Sequence, residues 1–253
     1  MSIWRATYDY KAVKCEDDLL RSRLRELAEQ RRRFGCARLH AILKREGLVV
    51  NHKKTERIYS EEGLSLRLKK RKKKVAMIRV KLPEPEHANQ RWSMDFVSDS
   101  TCTGRRFRAL VIVDDFSREC PAIEVDTSLG GVRVVNVLQR LVETRGLPEV
   151  ITTDNGPEFT GKAVDEWAYR NGVKLNFIRP GKPVENAYAE SFIGRLRDEC
   201  LNENWFVTLK DARETIEAWR IDYNQNRPHS SLKYLSPVEY AKGAEKTLIH
   251  TFL

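Results

Sequence analysis

Three acidic residues of this 253-residue chain stand where carboxylates can do chemistry. Asp95 interrupts the apolar and aromatic run Trp92-Ser93-Met94-Asp95-Phe96-Val97. Asp154 follows the short run Val150-Ile151-Thr152-Thr153, and Asn155-Gly156 then turns the chain sharply. Glu190 stands near the start of a helix, just after Gly181-Lys182-Pro183. The 35 residues between Asp154 and Glu190 hold one helix, one strand and one loop, enough to return the chain beside the strand it left. Clustered carboxylates are hard oxygen ligands that suit Mg2+ or Mn2+ and not zinc. Two such ions about 4 Å apart activate an attacking hydroxyl and stabilise the leaving oxygen of a phosphodiester. Taken singly, each residue also has an ordinary use. An Asp at a strand end caps a turn, and a Glu at a helix start complements the helix dipole.

The elements that position these carboxylates begin beyond Pro83 and Pro85, which mark a boundary. The pattern there predicts strands over 92–97, 107–113 and 122–125, then a helix over 131–144 with Val134, Val135, Leu138 and Leu141 on its apolar side. A strand over 150–153 ends on Asp154. A helix over 162–170, a strand over 174–178, a Gly/Pro-rich loop over 179–184 and helices over 187–200 and 209–223 complete the series. Three strands in succession followed by alternating helices and strands predict a mixed sheet with helices on its faces. Asp114 and Asp115 end a strand and shape a turn, Trp92 and Phe96 belong to the core, and His229 is a packing or hydrogen-bonding group.

The first third reads differently. Residues 1–82 carry 24 Lys and Arg against 10 Asp and Glu, a net +14, whereas residues 83–253 carry 22 against 26, a net −4. A basic module joined to a mildly acidic one fits a polyanion-binding arm, or more plainly a solvated basic tail. Leu19, Leu20, Leu24 and Leu27 form one amphipathic helix, and Leu39, Ile42 and Leu43 a second that ends at Gly47. Asn51 caps a third, over 52–62, closed by Gly63. Together they resemble a helix-turn-helix whose last helix offers His52, Lys53, Lys54 and Arg57 to DNA. From 67 to 74 every residue but Leu68 is basic, so Lys69, Lys70, Arg71, Lys72, Lys73 and Lys74 form an exposed arm suited to gripping phosphates.

Other classes are disfavoured. No apolar run reaches the roughly 18 residues of a membrane span. Residues 1–5 lack the apolar core of a secretory signal. Five scattered cysteines, an odd number without a C-x-x-C pair, fit reduced thiols in a cytoplasmic protein. His40, His52, Cys15 and Cys36 lack the spacing of a zinc site.

Six motifs occur in order: Trp92-Ser93-Met94-Asp95-Phe96, Val113-Asp114-Asp115-Phe116-Ser117-Arg118, Thr153-Asp154-Asn155-Gly156-Pro157-Glu158-Phe159, Arg179-Pro180-Gly181-Lys182-Pro183, Asn186-Ala187-Tyr188-Ala189-Glu190-Ser191-Phe192, and Tyr223-Asn224-Gln225-Asn226-Arg227-Pro228-His229. The series closely resembles the catalytic, second-reading-frame product of bacterial insertion-sequence transposases of family three, whose core is similar to retroviral integrases. The resemblance covers nearly the whole chain, including Arg33-Phe34-Gly35 and residues 39–63.

It implies an RNase-H-like core, a five-stranded mixed sheet flanked by helices, preceded by a small all-α helix-turn-helix-like region. The implied division is a basic DNA-binding region over 1–82, a catalytic core over 88–226 and a C-terminal extension over 227–253. Asp95, Asp154 and Glu190 become the catalytic, metal-binding triad for two Mg2+ or Mn2+ ions, and Lys182, Asn186 and Arg197 face DNA. Arg197 shares a helix face with Glu190, while Ile193, Leu196 and Cys200 turn to the core. The implied activity is cleavage at the 3′ ends of the element and direct strand transfer. DNA ends and target DNA are the partners, with a homo-oligomer on DNA and a first-frame partner carrying another helix-turn-helix. Two departures from the family pattern are Cys36, where an aromatic is expected, and Ile193, where Asn is expected. A non-catalytic DNA-binding repressor and a nuclease of the same fold are the rivals; the intact triad favours an enzyme over the first.

Overall fold

Leucines at helical spacing build the N-terminal unit. In the computed structural model, which describes residues 17–66, 83–179 and 183–251, Leu20, Leu24 and Leu27 are buried along α1 (Asp18–Gln30). They pack with Leu39 and Leu43 of α2 (Cys36–Arg45) and with Ile58 and Tyr59 of α3 (His52–Glu61). Leu19, expected on the same apolar face, is 71% exposed because it falls one position off the stripe. Asn51 caps α3 by accepting from the Lys53 N–H at 3.0 Å, and Gly47 and Gly63 take the left-handed backbone that ends each helix. A hydrogen bond of 2.8 Å between His40 Nδ1 and the buried Thr55 hydroxyl ties α2 to α3.

The chain divides into two compact units near residue 70. In the second unit β1 (Arg91–Ser100), β2 (Arg106–Asp114) and β3 (Ala122–Asp126) form an antiparallel meander. Helix α4 (Gly131–Arg145) crosses to β4 (Val150–Thr153), which lies parallel to β1. A short helix α5 (Pro157–Thr160) and α6 (Lys162–Asn171) lead to β5 (Lys174–Phe177), parallel to β4. The five strands run in the order β3-β2-β1-β4-β5, the mixed sheet the sequence predicts.

Side chains alternate between the faces of a strand, so the sheet has two cores. Trp92, Met94, Leu110, Ile112 and Ile151 face α4 and α6. Val97, Ala109, Val111 and Val113 face α7 (Ala187–Glu199) and α8 (Leu209–Gln225). Ile193 and Leu196 are buried in the second of these cores, so an apolar residue at 193 suits its place.

The expected extension beyond residue 226 has structure of its own. Helix α9 (Pro237–Thr251) starts from a reciprocal cap in which Ser236 and Glu239 each accept the other's backbone N–H, with Pro237 in the first turn. The Tyr240 ring lies 5.4 Å from that of Phe116, which joins this helix to the turn after β2. Among the described residues, no helix is long and apolar enough to cross a membrane, and the four described cysteines are free thiols.

Candidate active site

Strand β1 puts Asp95 on the face covered by α7, one residue after the buried Met94 and two before the buried Val97. The parallel pairing of β1 with β4 ends at Ser93 and Thr152. Continued by two residues, that register carries Asp95 and Asp154, the residue after β4, to the same end of the sheet. Asp154 caps its own turn, accepting the Gly156 N–H at 3.0 Å, while Asn155 donates to the Ile178 carbonyl at 2.7 Å. Gly156 leaves room for this: a Cβ there would stand 3.0 Å from Asp154 Oδ1 and 3.2 Å from Glu158 Oε2.

Glu190 sits in the first turn of α7, exposed, with Ala189, Phe192, Ile193 and Leu196 buried around it. The start of that helix is held from several sides. Tyr188 lies under the guanidinium groups of Arg118, 4.0 Å from the ring, and Arg91, 5.6 Å from it. Arg91 is itself fixed by Asp115 at 2.5 Å.

Asp95 feels the other two carboxylates. Asp95 is pushed up to about 6, first by burial and then by the negative charges of Asp154 and Glu190, against a lowering hydrogen bond of 2.7 Å from the Phe96 N–H. Among the described residues, no three His, Cys, Asp or Glu side chains close into a metal cage. Two properties fit divalent cations: an all-oxygen donor set, and a half-buried Asp95 that burial disfavours as an anion and that no positive side chain among the described residues compensates.

Asn186 departs from expectation. It is 2% exposed, not turned outward to DNA, and its Nδ2 donates to the Met94 carbonyl at 3.0 Å. Its Oδ1 is buried without a protein partner. Arg197 is exposed in the last turn of α7. In the N-terminal unit Lys53 is exposed, but Lys54 and Arg57 are already paired with Asp17, at 2.6 and 2.9 Å. A phosphate would have to compete with that carboxylate. Lys69, Lys70, Arg71, Lys72, Lys73, Lys74 and Lys182 lie outside the described residues.

Asp114 and Asp115 are structural, in line with the turn expected of them. Asp114 accepts the N–H groups of Asn89, Phe116 and Ser117 at 2.8 to 3.0 Å. Burial pushes Asp115 up to about 6 despite Arg91. The last motif proves to be a brace. Arg227 grips Glu199 with two hydrogen bonds of 2.6 and 2.8 Å at the far end of α7, and Asn224 exchanges two bonds with the backbone of Cys120. Sequence reasoning missed Arg108, which pairs with Glu158 and stacks 4.1 Å from the Phe96 ring. Its alternation in β2 was legible, but not its cross-strand partners.

Residues 85–183 and 171–237 each match an Integrase core domain, and residues 14–74 an HTH-like domain. Over 226 residues, 89% of this chain and 82% of the relative, the sequence is 51% identical to the 31.7 kDa protein of insertion element IS407 from Burkholderia multivorans. The chain belongs to the family-three insertion-sequence transposases. This transposase is also 46% identical to the 39.2 kDa protein of insertion element IS476 from Xanthomonas euvesicatoria, over 88% of its own chain and 64% of that relative. With the putative transposase InsK of IS150 from Escherichia coli it shares 25% identity over 93% of its chain and 89% of the relative. The magnesium-bound HTLV-2 integrase catalytic core has the same fold, at a TM-score of 0.50 and 17% identity, covering 61% of the transposase and 97% of that core. The transposase is therefore a polynucleotidyl transferase of the three-carboxylate type with an RNase-H-like core.

Proposed function

We propose that the transposase cleaves the 3′ ends of its element and joins them to target DNA, with Asp95, Asp154 and Glu190 as ligands for two Mg2+ or Mn2+ ions. The observation that carries this reading is the placement of Asp95: it is half-buried, and beyond that burial the charges of Asp154 and Glu190 raise its proton affinity at the end of the sheet. Bound divalent cations supply activation of the attacking oxygen and stabilisation of the leaving one.

The protein's own groups do the rest. Strand β1 carries Asp95, the turn after β4 carries Asp154, and the packed helix α7 carries Glu190. In the first step water attacks the scissile phosphorus and the 3′ oxygen leaves as the element's 3′-OH. In the second, that 3′-OH attacks a target phosphodiester, a new P–O bond forms as the target's own 3′ oxygen departs, and no covalent protein–DNA intermediate is needed. Lys53, the basic arm over 67–74, Lys182 and Arg197 grip phosphates. This division of labour fits the charge of +14 on residues 1–82 against −4 on the rest.

The reading extends to a homo-oligomer on DNA in the bacterial cytoplasm, at the nucleoid, with a first-frame partner that recognises element ends. A strand-transfer assay with labelled element ends, run with Mg2+ or chelator and with or without that partner, tests it. Joined products that require the metal support the reading. Metal-independent joining would contradict it.

A further inference from the structure

Arg108 occupies a position that the triad alone does not explain. In β2 it pairs across the strand with Ser98, and its guanidinium lies 4.1 Å from the ring centroid of Phe96, the residue after Asp95. The same guanidinium forms an ion pair with Glu158, four residues after Asp154. The Phe96 ring stacks on Phe159 at 4.9 Å, so the strand of Asp95 and the loop of Asp154 are joined through an aromatic pair and a cation.

Glu158 is the reason the cation matters. Its Oε1 is taken by Arg108, but its Oε2 and Asp154 Oδ1 both approach Gly156 from the side a Cβ would fill. A fourth carboxylate therefore stands within side-chain reach of the triad. Arg108 holds that carboxyl below the usual range, keeping it ionised and compensated. Left uncompensated, it would repel Asp154 or swing towards a cation bound there.

Building on the triad reading above, we propose that Arg108 is a positioning residue: it clamps the Asp154 loop to β1 and keeps Glu158 from becoming an extra ligand. A purely structural clamp and this role differ in the sign of one quantity. Loss of a structural clamp weakens cation binding or leaves it unchanged. Loss of a residue that restrains a spare carboxylate tightens cation binding while spoiling the geometry for turnover.

The experiment is a calorimetric Mn2+ titration of the full chain, with cleavage measured in parallel. Arg108→Met should bind Mn2+ on the order of three- to tenfold more tightly than the parent, since a positive charge is removed beside a divalent site, and cleave more slowly. Adding Glu158→Gln to that variant should return the affinity to within about twofold of the parent. Unchanged or weaker binding by Arg108→Met, or tightening that survives Glu158→Gln, overturns the proposal. If Arg108→Met does not fold, Glu158→Gln alone carries the test. It leaves Arg108 unbalanced, so weaker Mn2+ binding supports the proposal, and unchanged or tighter binding overturns it. Asp154→Asn separates the two levels: if it leaves Mn2+ binding intact, the triad reading itself fails and this inference falls with it.

Discussion

Asn186 donates from Nδ2 to the carbonyl oxygen of Met94 at 3.0 Å, which ties the start of the Glu190 helix to the residue before Asp95. The Met94 carbonyl lies just past the last residue of β1 paired with β4, where a strand bond is no longer made. The side-chain amide takes its place. Asn186 therefore links the elements that carry Asp95 and Glu190 from inside the fold.

The variant Asn186→Ala should lose this bond and leave the carbonyl less well satisfied, at a cost of about 1–3 kcal/mol in folding stability. Cleavage should fall at least about tenfold, because a small displacement of a catalytic group is costly. Affinity for element-end DNA, measured by a mobility shift at one salt concentration, should stay within about twofold, since phosphate contacts carry most of it. Weakened DNA binding with normal cleavage of the bound fraction would restore the surface-contact role for Asn186.

Asp95 is a stability liability with a definite pH dependence. Its carboxyl titrates near 6 in the folded state, against an ordinary value of 3.8. The folded protein thus holds a proton that the unfolded chain has lost, so stability from this group falls as pH rises through that window. The penalty is absent below about 4 and fully present above about 6. In metal-free buffer Asp95→Asn should melt higher than the parent at pH 7.5, on the order of 2–4 °C for a chain of this size, and the gain should vanish at pH 4. A variant that melts lower at pH 7.5 would show that the ionised carboxylate stabilises the fold.

The Arg227–Glu199 pair closes the far end of the same helix. The side chains are 2% and 8% exposed, so removing one charge breaks a buried ion pair. Glu199→Gln should lower stability in urea unfolding by more than the roughly 1 kcal/mol of an exposed pair. A loss below about 1 kcal/mol would mean that the buried pair contributes no more than an exposed one.

The pattern of elements was legible because each has a local cause. The alternation in β1 and β2, the β-branched run ending on Asp154 and the leucine stripe of α1 are periodicities that tertiary packing reinforced. Helix α9 was also written in the chain, as Ser236-Pro237-Val238-Glu239, but that short capping signal went unused. Long-range pairing was not legible. Nothing local says that Arg108 reaches Glu158, 50 residues on, or that Asn186 turns inward to a carbonyl 92 residues earlier. Spacing placed Asn186 on the helix of Glu190. The free carbonyl left by a four-residue β4 decided which way it points.

The identity of the third carboxylate decides the account, because Glu185 and Glu190 stand five residues apart. Glu185 is already engaged, accepting from the Arg179 backbone N–H at 2.9 Å and from its Nε at 2.7 Å. Glu190 is exposed on a helix fixed by buried neighbours, and its charge bears on Asp95. The direct measurement is cleavage of labelled element ends in Mg2+ by Glu190→Gln and Glu185→Gln side by side, with DNA binding recorded for both. Glu190→Gln should bind DNA but make no detectable product, while Glu185→Gln should retain most of the parent's rate. An active Glu190→Gln beside an inactive Glu185→Gln would contradict Glu190 as the third carboxylate.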